Sequence, residues 1–144
     1  VLLDNSRKSI NINCAVTDYE GMCYFRNDIV TDNMNDIEVK CSTLFNILKN
    51  NQSPQKIDYL SIDIEGHELI VLKEFFEKNN NFYTFGWITV EHNLYCDGPE
   101  KKEALYDLLT KNGYERVVDN ALCKDLNPIY YNQPYEDWYK KIEN

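Results

Sequence analysis

The run Ile57-Asp58-Tyr59-Leu60-Ser61-Ile62-Asp63-Ile64-Glu65-Gly66-His67-Glu68 constrains the fold more than any other stretch of this chain. Tyr59, Leu60, Ile62 and Ile64 make an apolar strand that delivers Asp63, Glu65 and His67 to its end. Gly66 then turns the chain toward a helix, with Leu69, Leu72 and Phe76 at helical spacing. Buried parallel strands are usually plain runs of Val, Ile and Leu. Acids and a histidine at the end of such a strand mark the crevice where an open α/β sheet places its ligands.

The rest of the chain alternates around this unit. Residues 10–16 alternate apolar and polar and read as a strand, residues 22–25 as a second strand, and the two as a hairpin across the turn at 18–21. Residues 26–36 read as a loop and 37–40 as a short extended piece. Ser42 or Thr43 caps a helix to about Lys49. The helix after Gly66 stops at the Asn run 79–81, and residues 85–90 form the next strand. Pro99 opens a helix that buries Ala104, Leu105, Leu108 and Leu109 and ends at Gly113. Residues 114–118 and 128–131 read as closing strands, and the tail from Pro134, with Tyr135, Trp138 and Tyr139, as a helix. Strand–helix alternation implies an α/β fold with a mostly parallel sheet, and the two closing strands imply an antiparallel edge.

The length of 144 residues suits one domain, spanning 1–144. The net charge of −9 argues against nucleic acid as a partner, because phosphate binding needs clustered Lys and Arg. No stretch is long and apolar enough to suggest a membrane partner. The five cysteines have no CxxC spacing and read as free thiols of a reducing compartment, the cytoplasm, with Cys14 and Cys41 in the core and Cys96 in a loop near the site.

Three strand ends converge in this reading. The first offers Asp18, the central one Asp63, Glu65 and His67, and the next Glu91, His92 and Asn93. Neighbouring strands lie about 4.8 Å apart, so Asp63 and Glu91 come close enough to share a proton, a cation or a substrate hydroxyl. Two close carboxylates push their pKa values apart and leave one suited to general-base work. Glu68, in the first helical turn, is accounted for by the helix dipole. Asp63, Glu91 and a histidine also suit a hard cation, but zinc-type spacing is absent and no metal is assigned. A phosphate-cradling glycine loop and a GxSxG elbow are absent as well.

These residues resemble the FkbM family of S-adenosylmethionine-dependent methyltransferases. The resemblance runs through Ala15-Val16-Thr17-Asp18 with Gly21 and Phe25, Ser42-Thr43-Leu44 with Ile47-Leu48, the run from Ile57 to Glu68 with Leu69 and Leu72, Val90-Glu91, and Asn112-Gly113-Tyr114. It implies a Rossmann-like class I methyltransferase sheet, with S-adenosylmethionine as cofactor and O-methylation of a sugar or other small-molecule hydroxyl. It implies catalytic roles for Asp63, Glu65, His67 and Glu91, and cofactor contacts from Ala15, Val16, Asp18 and Asp63. His92 and Asn93 then face the acceptor. The family's opening strand with its glycine loop, and the acid ending its second strand, have no counterpart here. Residues 1–9 read as the helix beyond them, so the domain is partial and lacks the first two strands. The uncovered edge leaves self-association into a homo-oligomer open. Phe45 stands where the family carries an acid. Two other readings are a non-catalytic binding module of the same fold and a metal-dependent hydrolase using Asp63, Glu65, Glu91 and His92.

Overall fold

The computed structural model describes residues 9–26, 29–31, 35–124 and 131–143. Its elements are β1 (Ala15–Val16), β2 (Gly21–Arg26), β3 (Ile29–Thr31), β4 (Ile37–Ser42), α1 (Leu44–Asn50), β5 (Lys56–Ile62), α2 (Glu68–Asn79), β6 (Thr84–Glu91), α3 (Leu94–Asp97), α4 (Pro99–Lys111), β7 (Tyr114–Leu122) and β8 (Pro134–Lys141). They form a mixed α/β structure with two four-stranded sheets, ordered β1-β4-β2-β3 and β5-β6-β8-β7. Among the described residues no helix is long and apolar enough to cross a membrane.

The second sheet positions the site. β5 and β6 run parallel because α2 makes the crossover between them. Gly86 lets them approach: a Cβ there would lie 2.8 Å from the Asp58 carbonyl oxygen. Helix α2 buries Val71, Leu72 and Phe75 and α4 buries Leu105 and Leu109, all in one core with Ile62, Ile88, Val90 and Tyr139. Asn80 adopts the left-handed conformation that ends α2, and Gly113, also left-handed, follows α4. Thr43 caps α1, its hydroxyl accepting from the Asn46 N–H at 3.3 Å.

Several expectations are corrected. The sheets are mixed rather than mostly parallel: only β1/β4 and β5/β6 are parallel among the described pairs. The antiparallel edge is present, as β7 against β8. The tail from Pro134 is strand β8, not a helix, and it lies between β6 and β7. Its period is two: Asp137 and Tyr139 are buried while Trp138 and Lys140 are exposed. The interleaved charges hid that alternation. The strand expected at 10–16 shrinks to Ala15–Val16, which pairs with β4 rather than forming a hairpin with β2. β2 instead pairs with β4 and with β3, a strand inside the expected loop. Of the strand expected at 128–131, residues 128–130 lie outside the described residues and Tyr131 is in a turn. The helix expected at the chain's start likewise lies outside them.

Candidate active site

Ile62 of β5 pairs with Val90 of β6 in parallel register. The residues that follow, Asp63 and Glu91, therefore leave the sheet side by side. One carboxylate oxygen each from Asp63, Glu91 and Glu68 lies within 4.8 Å of the other two. Asp63 is exposed, whereas Glu91 is only 9% exposed. Together with Glu65, Asn93, Tyr95, Cys123 and Tyr135 they line a cleft of about 360 Å³ whose wall, among the described residues, has no lysine, arginine or histidine.

The turn that carries Asp63 and Glu65 is unusual. Glu65 has φ 54° and Gly66 φ 99°, so two successive residues are left-handed. For Glu65 that conformation costs about 1 kcal/mol. Glu68 holds it. Its Oε1 accepts from the Ile64 N–H at 2.8 Å and the Gly66 N–H at 3.2 Å. Its Oε2 lies 3.0 Å from Lys101 Nζ of α4, an ion contact without hydrogen-bond alignment. Glu68 is fully buried, so this pairing removes the cost of a lone charge in the core. A helix dipole therefore does not account for Glu68. An acid in the first turn, able to reach back to the preceding N–H groups, was the sequence signal for this role.

Glu91 is held differently. Burial, then the charge of Asp63, raises its pKa to about 7, against a pull downward from the Asn93 side chain. Its Oε2 has no hydrogen-bond partner and no solvent contact. Tyr135, which sequence reasoning placed on a helix, lines the same cleft from β8. Burial and neighbouring Glu136 push its hydroxyl up to about 12, so it stays a donor at neutral pH.

The other expected residues fall out as follows. His92 is 1% exposed. Its Nδ1 accepts from the Leu94 N–H at 3.1 Å, which leaves the Nε2 proton for Asp137 Oδ1 at 3.3 Å. Both ring nitrogens thus have partners within the fold. Asn93 does line the cleft, in a left-handed conformation with φ 47°. His67 precedes α2, makes no capping bond and is not in the cleft wall. Ala15 and Val16 are half-buried on β1, and Asp18 is exposed just after it; none lines the cleft. The end of β1 is tied instead to α1, where Glu20 accepts from the Ser42 hydroxyl, the Thr43 N–H and the Asn46 amide at 2.8 to 2.9 Å. Cys41 and Cys23 are buried, and burial pushes the Cys23 thiol up to about 11, which makes it inert. Cys14 is half-buried rather than in the core.

A larger apolar hollow of about 520 Å³ lies on the second sheet, lined by Tyr59, Trp87, Thr89, Val117, Val118, Glu136 and Trp138. It contains none of the converging carboxylates.

The model of the methyltransferase FkbM domain matches residues 5–116. The chain belongs to the FkbM methyltransferase family. The matched stretch contains Asp63, Glu65, Glu68 and Glu91, and stops short of β8 with Tyr135 and Asp137. No curated protein and no solved structure matches the chain. Membership of the FkbM family supports methyltransferase activity, and the cleft is where its acids gather.

Proposed function

We propose that this FkbM chain forms the acceptor side of an S-adenosylmethionine-dependent O-methyltransferase with a Rossmann-like sheet, acting on a hydroxyl of a sugar or other small molecule. The observation that carries the reading is the meeting of Asp63 and Glu91 in one cleft at the carboxyl ends of two parallel strands. That is the position where open α/β sheets bind ligands. The β5-β6-β8-β7 order, with its parallel pair and antiparallel edge, supports the sheet type.

The donor set fits the cofactor. A wall with three carboxylates and no cationic side chain favours a positively charged ligand, and S-adenosylmethionine carries a sulfonium and an ammonium. Asp63 and Glu65 would hold it from the β5 turn. When bound it supplies an activated methyl group. The chain's own task is to fix the acceptor oxygen in line and to take its proton. Glu91, with a pKa near 7, is half ionised at neutral pH and suits a general base. As it accepts the proton, Asp63 loses a repulsive neighbour. Tyr135 and Asn93 border the acceptor, while Ala15 and Val16 of β1 and Asp18 after it are assigned no contact.

The test is calorimetric titration of the protein, in its natural full length, with S-adenosylhomocysteine. Saturable binding is expected, weakened about tenfold or more in Asp63→Asn, a loss of one charge-assisted contact. Labelled methyl transfer to a panel of hydroxyl acceptors should vanish in Glu91→Gln. Absence of any nucleoside binding, or unchanged transfer in both variants, contradicts the reading.

A further inference from the structure

The geometry points to a divalent cation site formed by Asp63 and Glu91 of the cleft wall with the buried Glu68 beside them. Sequence spacing alone gave no such site, and the histidine it would have used, His92, is committed elsewhere. The three oxygens lie within 4.8 Å of one another. Oxygens bound to one cation at about 2.1 to 2.4 Å sit roughly 3 to 5 Å apart across its shell. The set is already at the spacing a cation needs, without movement of the backbone.

A group of acids alone would mean little. The second observation is the state of Glu91. The residue is 9% exposed, and its Oε2 has neither a donor nor water contact. A buried carboxylate oxygen left bare is costly. Among the described residues the other buried acids are balanced by cations or donors: Glu74 by Lys78 at 2.9 Å, Glu68 by two backbone N–H groups and Lys101, and Asp137 by His92, Arg116 and the Asn120 N–H. Glu91 has the Asn93 side chain as a donor, but its Oε2 stays bare, and it faces two other acids. A cation satisfies all three at once. Lys101 already balances Glu68, so Asp63 and Glu91 supply the uncompensated charge and Glu68 an oxygen at the back. An all-oxygen set selects a hard ion of the Mg²⁺, Mn²⁺ or Ca²⁺ class over a soft one.

The open side of the cleft leaves room for water or a substrate hydroxyl on the ion. This inference does not rest on methyl transfer, since binding is expected whether or not the chain moves a methyl group. If both hold, Asp63, Glu68 and Glu91 would be ligands, the ion would lower the pKa of an acceptor hydroxyl held on it, and water would take that proton in place of Glu91.

The experiment is titration of the full protein with MnCl₂ and with MgCl₂ at pH 7.5, in KCl of matched ionic strength, read by calorimetry and by Mn²⁺ electron paramagnetic resonance. Neither readout needs donor, acceptor or activity. One saturable site is expected. Glu91→Gln and Asp63→Asn should each weaken it at least tenfold, while Glu115→Gln, an exposed acid on β7, leaves it unchanged. Asp63 is exposed, so its variant keeps the fold even if Glu91→Gln perturbs it; circular dichroism checks both. No saturable Mn²⁺ binding overturns the proposal. Binding that survives both substitutions overturns it equally.

Discussion

Glu91 and Asp137 are near neighbours on adjacent antiparallel strands, where Val90 pairs with Asp137 and Glu91 with Glu136. Both are at least nine-tenths buried. Their surroundings drive them in opposite directions. Burial alone would raise Asp137, but hydrogen bonds from His92 and the Asn120 N–H, with the Arg116 guanidinium, hold its pKa at about 2. Burial raises Glu91 to about 7, and the charge of Asp63 adds to the rise. One acid faces inward along the sheet into a nest of donors. The other stands at the strand's mouth among acids. A buried charge that is fully paired serves the fold, whereas one left short of donors is held ready for a ligand or a proton.

The sharpest break of that contrast is Asp137→Ala. It strips His92, Arg116 and the Asn120 N–H of their shared acceptor and should cost about 3 to 5 kcal/mol, the usual penalty for breaking a buried pair. A shift in the urea midpoint at pH 7 reads it. Glu91→Gln should move the other way. It removes a poorly paired buried charge and should stabilise the protein at pH 8, in metal-free buffer, by about 3 kcal/mol.

The two acids also separate in pH. Asp137 has a depressed folded pKa, so its contribution is present above about pH 4 and is lost as pH falls through about 2. Glu91 has a raised folded pKa. Its folded form holds a proton that the unfolded chain has released, so stability declines as pH rises from about 4.5 through about 7. Melting curves between pH 5 and 8 should show that decline in the parent and its absence in Glu91→Gln. The smallest effect belongs to Asp63→Asn. Asp63 is exposed and screened, so its loss should lower the Glu91 titration by about half a unit.

Much of this was legible in the chain. The β5 turn, Asp63, Glu91 and the family all followed from an apolar strand ending in acids, because few folds tolerate that pattern. Register then brought the two acids together without any sequence signal beyond strand adjacency. What could not be read were the residues whose meaning depends on contacts far along the chain. Tyr135 and Asp137 looked helical because charges interrupt the aromatic alternation of β8. His92 looked like a ligand because nothing in the sequence shows that Asp137, 45 residues later, takes its proton. Glu68 looked like a helix-dipole acid because Lys101 approaches only through the packing of α4 on α2. The mixed first sheet was missed because β1 is two residues long and β3 lies in a polar stretch.

The most direct test is the titration of the Glu91 carboxyl by ¹³C NMR, assigned by loss of its signal in Glu91→Gln, in metal-free buffer. The account predicts a midpoint near pH 7, well above the ordinary carboxylate range. A Glu91 midpoint in the ordinary range near 4.5 would mean that the carboxyl is already solvated or paired, and the cleft would lose its base and its vacancy together.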